Sequence, residues 1–283
     1  MQQSGLLEKH GIGASIRPLA DSGAGQVALL SGAVDVILSD LIWASAQRTQ
    51  GKELFFVPFS LAVGGLVMAA KSTTTDLADL KGRTIGIGGG PLDKNLVFLR
   101  ACYQRQTGHD LLENITPKYG AAPVIHQLLL RGHLDGALNF WQWNVRAVHA
   151  GARSLISVAE MLTKLGVPRP PPLLGWTFTQ QAVDTRRDGL VAFLDASFDT
   201  KQQLLRDDAI WLALRPLMDD GGDEMLFRAL RDGYRAGIIE HFDPADTEAM
   251  DGAFRILSQY GGAGATGGAT AFDTQVVWKG YHR

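Results

Sequence analysis

The chain has 283 residues, of which 46% are hydrophobic and 20% are charged, so it can form one or two domains with a full core. Its formal net charge of −2 offers no basic surface for nucleic acid or for an anionic membrane. Its single cysteine, Cys102, excludes an internal disulfide and disfavours a cysteine-based metal site.

The first part of the chain predicts a short helix, a strand and a second helix. Residues 5–10 have the pattern of a helix that ends at Gly11, and residues 15–19 predict a strand near the edge or end of a sheet, because they contain a proline. The turn at residues 21–25 opens a helix at residues 26–30. Its N–H groups could hold an anion, although a serine N-cap followed by glycines explains the same pattern.

One stretch of sequence occurs twice. Residues 29–40 read LLSGAVDVILSD, and residues 129–140 read LLRGHLDGALNF. In both copies a helical segment is followed by glycine, a turn through aspartate and a short apolar run, which predicts a glycine-capped helix and a buried strand. Two such units predict two similar α/β lobes, with ligands beyond the carboxyl ends of their strands.

The glycine run at residues 88–91 (GGGP) lies between a predicted strand at residues 84–87 and a predicted helix at residues 92–106. Pro91 suits the first position of that helix. The run fits neither the dinucleotide-binding pattern nor the P-loop pattern. Backbone N–H groups at the helix start could hold a carboxylate, sulfonate or phosphate group, and a purely structural turn remains equally open.

Aromatic and amide side chains alternate at residues 139–144 (NFWQWN), where the second copy of the repeat ends. Aromatic residues alone are typical of a core, whereas interleaved amides at a strand end favour a pocket with a few placed hydrogen bonds. The proline-rich residues 161–172 predict a stiff connection between lobes rather than a polyproline ligand. Residues 173–179 then predict a strand that contains Trp176.

The C-terminal part, residues 185–260, is predicted to be mostly helical. The acidic loop at residues 219–224 does not have the spacing of an EF-hand, and Asp223 fits an N-cap of a helix at residues 224–236. No motif supplies a nucleophile, a base and an orienting group together. We expect Cys102 to be buried among apolar neighbours, and we expect no catalytic residue, metal or cofactor.

Three segments resemble one protein family in their order and spacing. They are residues 21–40 (DSGAGQVALLSGAVDVILSD), 76–90 (DLADLKGRTIGIGGG) and 122–143 (APVIHQLLLRGHLDGALNFWQW). They resemble the substrate-binding proteins of nitrate-, sulfonate- and taurine-type ABC importers, related to the NMT1/THI5-like group. The resemblance covers residues 5–179 and extends more loosely to residue 260.

The resemblance implies an α/β fold of the type II periplasmic-binding-protein kind, in which two doubly wound sheets are joined by two crossing strands. Lobe one would contain residues 1–70 and 180–283, and lobe two would contain residues 71–179. The hinge would lie near residues 67–71 and 175–179. Closure of the lobes over a ligand would remove it from water and present both lobes to a transporter.

The resemblance also implies a monomeric substrate-binding component of an ABC importer, with a small-molecule ligand and a membrane permease as partners. It would be periplasmic or lipid-anchored at the outer face of the cytoplasmic membrane. The positions that would face the cleft are Ser22, Gly23, Ala24, Asp40, Ser60, Gly89, Pro91, Asn139 and Trp141, with Trp43 and Trp176 as further walls. These tryptophans favour an organic sulfonate, carboxylate or pyrimidine-like ligand over a bare oxyanion.

Two features depart from the family pattern. Members begin with a signal sequence and with a strand before the helix at residues 5–10, and neither is visible, so we expect the natural chain to start earlier. THI5-like pyrimidine-precursor synthases carry a cysteine-rich metal motif, which Cys102 alone cannot provide. A ligand-sensing regulator, with a domain like the LysR-type effector domains, is a third hypothesis, but no helix-turn-helix precedes the lobes.

Overall fold

The structure is a computed structural model that describes residues 1 and 4–282. The helices are α1 (Leu6–Lys9), α2 (Ser22–Leu30), α3 (Leu41–Thr49), α4 (Lys94–Thr107), α5 (Leu111–Asn114), α6 (Ala122–Leu130), α7 (Trp141–His149), α8 (Val158–Lys164), α9 (Gln180–Arg206), α10 (Asp208–Leu214), α11 (Glu224–Ala236) and α12 (Pro244–Ala265). The strands are β1 (Val36–Asp40), β2 (Leu54–Ser60), β3 (Gly65–Met68), β4 (Thr84–Gly88), β5 (Thr116–Gly120), β6 (Gly136–Asn139), β7 (Arg153–Ser157) and β8 (Leu174–Thr179).

The strands form two sheets, as the sequence predicts. In the first sheet the order is β1-β8-β2, and β8 runs antiparallel to both neighbours. In the second sheet the order is β5-β4-β6-β3-β7. Here β4 runs parallel to β5 and β6, whereas β3 runs antiparallel to β6 and β7. The chain is therefore an α/β protein in which each sheet contains one strand of opposite direction.

The connections between the sheets differ from the predicted hinge at residues 67–71 and 175–179. Strand β3 is hydrogen-bonded on both sides within the second sheet, and β8 is the central strand of the first sheet. The chain therefore passes between the sheets at residues 61–64 and again before residue 174. The sequence predicted the strand at residues 173–179, but it did not show which sheet that strand joins.

The repeat corresponds to two equivalent helix–turn–strand units, α2–β1 and α6–β6. Gly32 and Gly132 follow the two helices with φ angles of 73° and 76°, the left-handed conformation that favours glycine. In the second unit Asp135 Oδ2 accepts a hydrogen bond from the N–H of Thr84 at 2.7 Å. The aspartate of the repeat thus fixes the start of β4 beside β6.

The second sheet is covered on both faces. On one face it packs against α4, α8 and α12, through side chains such as Phe98, Met161 and Phe254. On the other face it packs against α6 and α7 around Ile125 and Ala147. Each large apolar side chain buried in this way contributes about 1.5–3 kcal/mol. Among the described residues, no helix has the length and apolarity needed to span a bilayer.

Three local predictions are corrected by the structure. Residues 15–19 do not form a strand, and Ile16 is exposed to solvent. Helix α4 begins at Lys94, so Pro91 lies in the preceding turn, because the side chain of Asp93 caps the helix. Helix α12 continues to Ala265, whereas the sequence predicted helical structure only to residue 260.

Candidate functional site

The strands of each sheet that run in the same direction end at a common edge. In the first sheet β1 and β2 both run antiparallel to β8, so they end together at Asp40 and Ser60. In the second sheet β4, β5 and β6 are parallel and end together. Helices α3, α4, α6 and α7 begin close after these strand ends. Their first turns present N–H groups without intrahelical partners, which favour an anion.

The two edges meet at an ion pair between Asp40 and Lys94. Asp40 ends β1 of the first sheet, and Lys94 begins α4, which follows β4 of the second sheet. The Lys94 ammonium donates a hydrogen bond to Asp40 Oδ2, and Asp40 Oδ1 accepts one from the N–H of Trp43 at 2.9 Å. The side chains of Lys94 and Asp40 are 31% and 34% exposed, so solvent reaches the pair. We call the space around this pair, between the two sheet edges, the cleft.

The turn between β4 and α4 is held close to the end of β6. A Cβ atom at Gly88 would lie 2.4 Å from Asn139 Oδ1, so the backbone approach requires glycine. Asp93 Oδ1 accepts a hydrogen bond from the N–H of Leu96 at 3.2 Å and caps α4. Burial raises the pKa of the Asp93 carboxyl, and the negative charge of Asp40 also raises it. Two carboxyl groups and one ammonium therefore meet at this end of the cleft.

Asn139 is buried, and both ends of its side-chain amide form hydrogen bonds with backbone groups. Its Nδ2 donates to the carbonyl oxygen of Ala122 at 2.9 Å, and its Oδ1 accepts from the N–H of Phe140 at 2.9 Å. The side chain therefore ties the end of β6 to the first residue of α6. Its observed role is to hold these two helix starts in place, and direct contact with a ligand stays a prediction.

Gly89 and Pro91 lie in the turn before α4, and Pro91 is exposed. Lys94 is the residue of this region that sequence reasoning missed. The error followed from placing Pro91 at the first helical position. The signal that would have found it is Asp93, because an aspartate N-cap puts the next residue in the first turn of the helix.

Ser22, Gly23 and Ala24, which were predicted to face the cleft, form the first turn of α2. Ser22 and Gly23 are exposed, and the N–H of Ala24 donates to Asp21 Oδ1 at 2.8 Å. The N-cap is thus Asp21 rather than the serine. This capping satisfies the N–H group of Ala24. The first turn of α2 is exposed, and its contact with a ligand stays a prediction.

Ser60 ends β2 and is engaged with the backbone of the following connection. Its Oγ accepts from the N–H of Ala62 at 3.0 Å and donates to the carbonyl oxygen of Gly237 at 3.3 Å. The hydroxyl therefore fixes the chain where it leaves the first sheet. Trp43, in α3, is half-buried and packs on apolar side chains that include Leu29.

Trp176 was predicted to form a wall of the cleft, but in the structure it is half-buried and packs between the first sheet and α9. Its ring contacts Phe59 and Phe193, with centroid distances of 5.1 and 4.9 Å, and its Nε1 donates to Ser197 Oγ at 2.9 Å. Phe193 and Ser197 belong to α9. Side chains alternate along a strand, and at this position of β8 they point toward α9.

Trp141 begins α7 but packs against α11 rather than against the other predicted residues. Its ring centroid is 6.2 Å from that of Tyr234, and a Cβ at Gly233 would lie 3.3 Å from its indole ring. Phe140 and Tyr119 are instead the aromatic residues that remain exposed at the strand ends of the second sheet, each 40% accessible. The sequence placed Phe140 in the predicted pocket at residues 139–144 but not among the positions that would face the cleft, and it did not single out Tyr119.

A pocket with a volume of about 460 Å³ lies beside the second sheet, between α7, α11 and strands β3 and β7. Its walls are mostly apolar and include Trp141, Val145, Val148, Met225 and Ala229. It extends from the first residue of α7 to His149 at the last. The pocket thus runs along the side of the second sheet, and Trp141 contributes to this pocket.

Comparison with protein-family models matches residues 2–207 to the model described as NMT1/THI5 like. Comparison with curated protein sequences gave no significant match. Among solved structures, the alkanesulfonate-binding protein SsuA from Xanthomonas axonopodis pv. citri, bound to MOPS, has a TM-score of 0.72 at 15% identity, covering 98% of this chain and 92% of that chain.

Two further solved structures are similar. The periplasmic aliphatic sulphonate binding protein SsuA from Escherichia coli has a TM-score of 0.68 at 18% identity, covering 91% of this chain and 82% of that chain. The desulfurization enzyme DSZB has a TM-score of 0.62 at 16% identity, covering 92% of this chain and 87% of that chain. These likenesses establish the two-sheet binding-protein fold, and because the family model matches most of the chain, the protein belongs to the NMT1/THI5-like family.

Proposed function

We propose that this protein is the substrate-binding component of an ABC importer and that it captures a small organic acid in the cleft. The observation that carries the proposal is the meeting of both sheet edges at Asp40 and Lys94. A ligand held there touches both lobes, so its binding is coupled to their closure. The ammonium of Lys94 supplies a charged donor for an acid group.

The solved neighbours support an acidic ligand. Two of them are sulfonate-binding SsuA proteins, one of which is bound to MOPS. The exposed rings of Phe140 and Tyr119 supply apolar surface for the body of an organic molecule. By the same likeness we place the protein in the periplasm, free or lipid-anchored, with a membrane permease as its partner.

DSZB shares the fold and is an enzyme, so the fold alone does not separate binding from catalysis. Cys102 would be the strongest nucleophile of the chain, yet it is only 4% exposed. Its Sγ donates to the carbonyl oxygen of Met161 at 3.3 Å, and burial raises the pKa of its thiol to about 11. A thiol held in this state does not attack a substrate, which favours the binding protein.

The test is a thermal-shift screen of alkyl and aryl sulfonates, carboxylates, amino acids, aminopyrimidines and nitrate. A ligand at a thousand times its Kd stabilises the folded state by about 4 kcal/mol, which raises the Tm by several degrees in a chain of this size. We expect one class of acids to give a saturable shift that Lys94→Met weakens. The control is Lys81→Met, which changes an exposed lysine of the turn before β4. A folded sample that responds to no acid, or an equal response in Lys94→Met, would contradict the proposal.

A further inference from the structure

The ion pair between Asp40 and Lys94 occupies the point where a ligand would join the two lobes. Asp40 is anchored, because its Oδ1 accepts from the N–H of Trp43 while its Oδ2 holds the ammonium. Lys94 is a long side chain on the first turn of α4 and can move away from its partner. A ligand that reaches both lobes must therefore separate this pair or satisfy both of its charges.

The charges around the pair are not symmetric. The carboxyl of Asp93 lies on the same side of the cleft as Lys94. The charge of Lys94 lowers its pKa, whereas the charge of Asp40 raises it. If a simple anion took Lys94, Asp40 would lose its cation while remaining near a second carboxyl group. Separating the pair for a ligand that satisfies only one of its charges forfeits the attraction between the two side chains without replacing it for the other. A simple cation at Asp40 would in turn leave Lys94 without its carboxylate.

We propose that the ligand of this cleft is a small zwitterion, whose acid group binds Lys94 and whose ammonium group binds Asp40. This inference rests on the proposed function and names its substrate class. A zwitterion replaces one ion pair by two and leaves no charge unpaired. It also bridges the two lobes, so its length decides how far they close. Asp40 then selects ligands that carry an amine, and Lys94 selects those that carry an acid.

The experiment compares matched acids by calorimetry on the wild-type protein. Each pair differs only in a terminal amine: 3-aminopropanesulfonate against propanesulfonate, and 3-aminopropanoate against propanoate. We expect the amine-bearing member of the better pair to bind at least about tenfold more tightly. Asp40→Asn keeps an N-cap acceptor for Trp43 but removes the charge. In that variant we expect the preference to disappear and the amine-free acid to bind more tightly than it binds the wild type.

The matched control is Asp243→Asn. Asp243 is also an N-cap aspartate with an arginine partner, because its side chain accepts from the N–H of Ala245 and pairs with Arg169. It caps α12 and pairs with Arg169 rather than with Lys94, so its substitution should leave the ligand preference unchanged. Equal affinity of the two members of each pair for the wild type would overturn the inference, and so would a preference that survives Asp40→Asn. Tight binding of amine-free acids alone would also overturn the inference but would leave the proposed binding function intact. If no acid bound, both the inference and the proposed function would be refuted.

Discussion

The ammonium nitrogen of Lys201 lies 3.9 Å from the centroid of the Phe59 ring and donates a hydrogen bond to the carbonyl oxygen of the same residue. A second ring, that of Phe198, lies 4.8 Å from it. Lys201 is only 2% exposed. Burial lowers the pKa of its ammonium to about 7. The lysine thus links α9 to the end of β2, close to the connection between the sheets.

Lys201→Met should remove a pH dependence from stability. The folded-state pKa of about 7 lies below the unfolded value of 10.5, so between these pH values the unfolded chain binds a proton that the folded chain does not. The free energy of unfolding of the wild type should therefore rise with pH across this window, by up to about 1.4 kcal/mol per pH unit. In Lys201→Met the curve should be flatter and the protein more stable at pH 7. Urea unfolding from pH 6 to pH 10 measures both effects.

The control for this experiment is Lys164→Met, which changes an exposed lysine of α8. It should retain the slope of the wild type, because it leaves the buried Lys201 unchanged. If the free energy of unfolding of Lys201→Met rose with pH as steeply as that of the wild type, another group would be the cause of the pH dependence.

We expect His126 to make the protein sensitive to acid. It is 6% exposed, and its Nδ1 has no hydrogen-bond partner among the described residues. Its ring packs against that of Trp143 at a centroid distance of 5.2 Å, tilted by 42°. Burial lowers the pKa of His126, and the positive charge of Arg146 lowers it further. Below pH 6.5 the unfolded chain therefore takes up the proton first, and stability falls as the pH falls. His126→Phe should reduce the loss of Tm between pH 7 and pH 5.

His133→Asn is the matched control, since His133 is exposed and follows the same helix. It should lose Tm on acidification as the wild type does. Equal acid sensitivity of His126→Phe and the wild type would assign the effect to other groups.

Gly64 lies where the chain enters the second sheet, and its position admits no side chain. A Cβ atom there would lie 1.6 Å from the carbonyl oxygen of Asn139. Gly64→Ala should therefore destabilise the protein by about 3 kcal/mol or more, because two backbones would have to separate. At Gly189 in α9 a Cβ meets nothing within 4 Å, so Gly189→Ala should stabilise by about 0.5–1 kcal/mol through helix propensity. Denaturant unfolding of both variants checks the signs, and a tolerated Gly64→Ala would contradict the backbone contact.

Much of the fold was predictable because it is encoded locally. The glycine after each repeat helix and the short apolar run that follows it gave both α/β units, and Gly32 and Gly132 have the left-handed conformation expected of them. The partnership of Asp40 and Lys94 was not predictable in this way. It joins the last residue of β1, in the first sheet, to the helix that follows β4 of the second sheet, and the pattern around Lys94 describes only that helix. Trp176 was misplaced for a related reason, since β8 is covered on both faces and alternation alone did not show which face meets α9.

Asn139→Asp tests the role of the buried amide at the end of β6. The substitution replaces the Nδ2 donor to the carbonyl oxygen of Ala122 by an acceptor, so two oxygen atoms would face each other. Burial would raise the pKa of the new carboxyl, so the folded state would resist its ionisation. The variant should be less stable than the wild type by about 3 kcal/mol at pH 7, and the deficit should shrink as the pH falls toward 4. Asn95→Asp, in the first turn of α4, is the control and should be neutral or slightly stabilising, because acids are favoured at helix N-termini. A deficit in Asn139→Asp that does not change with pH would mean that lost packing, rather than a buried charge, is its cause.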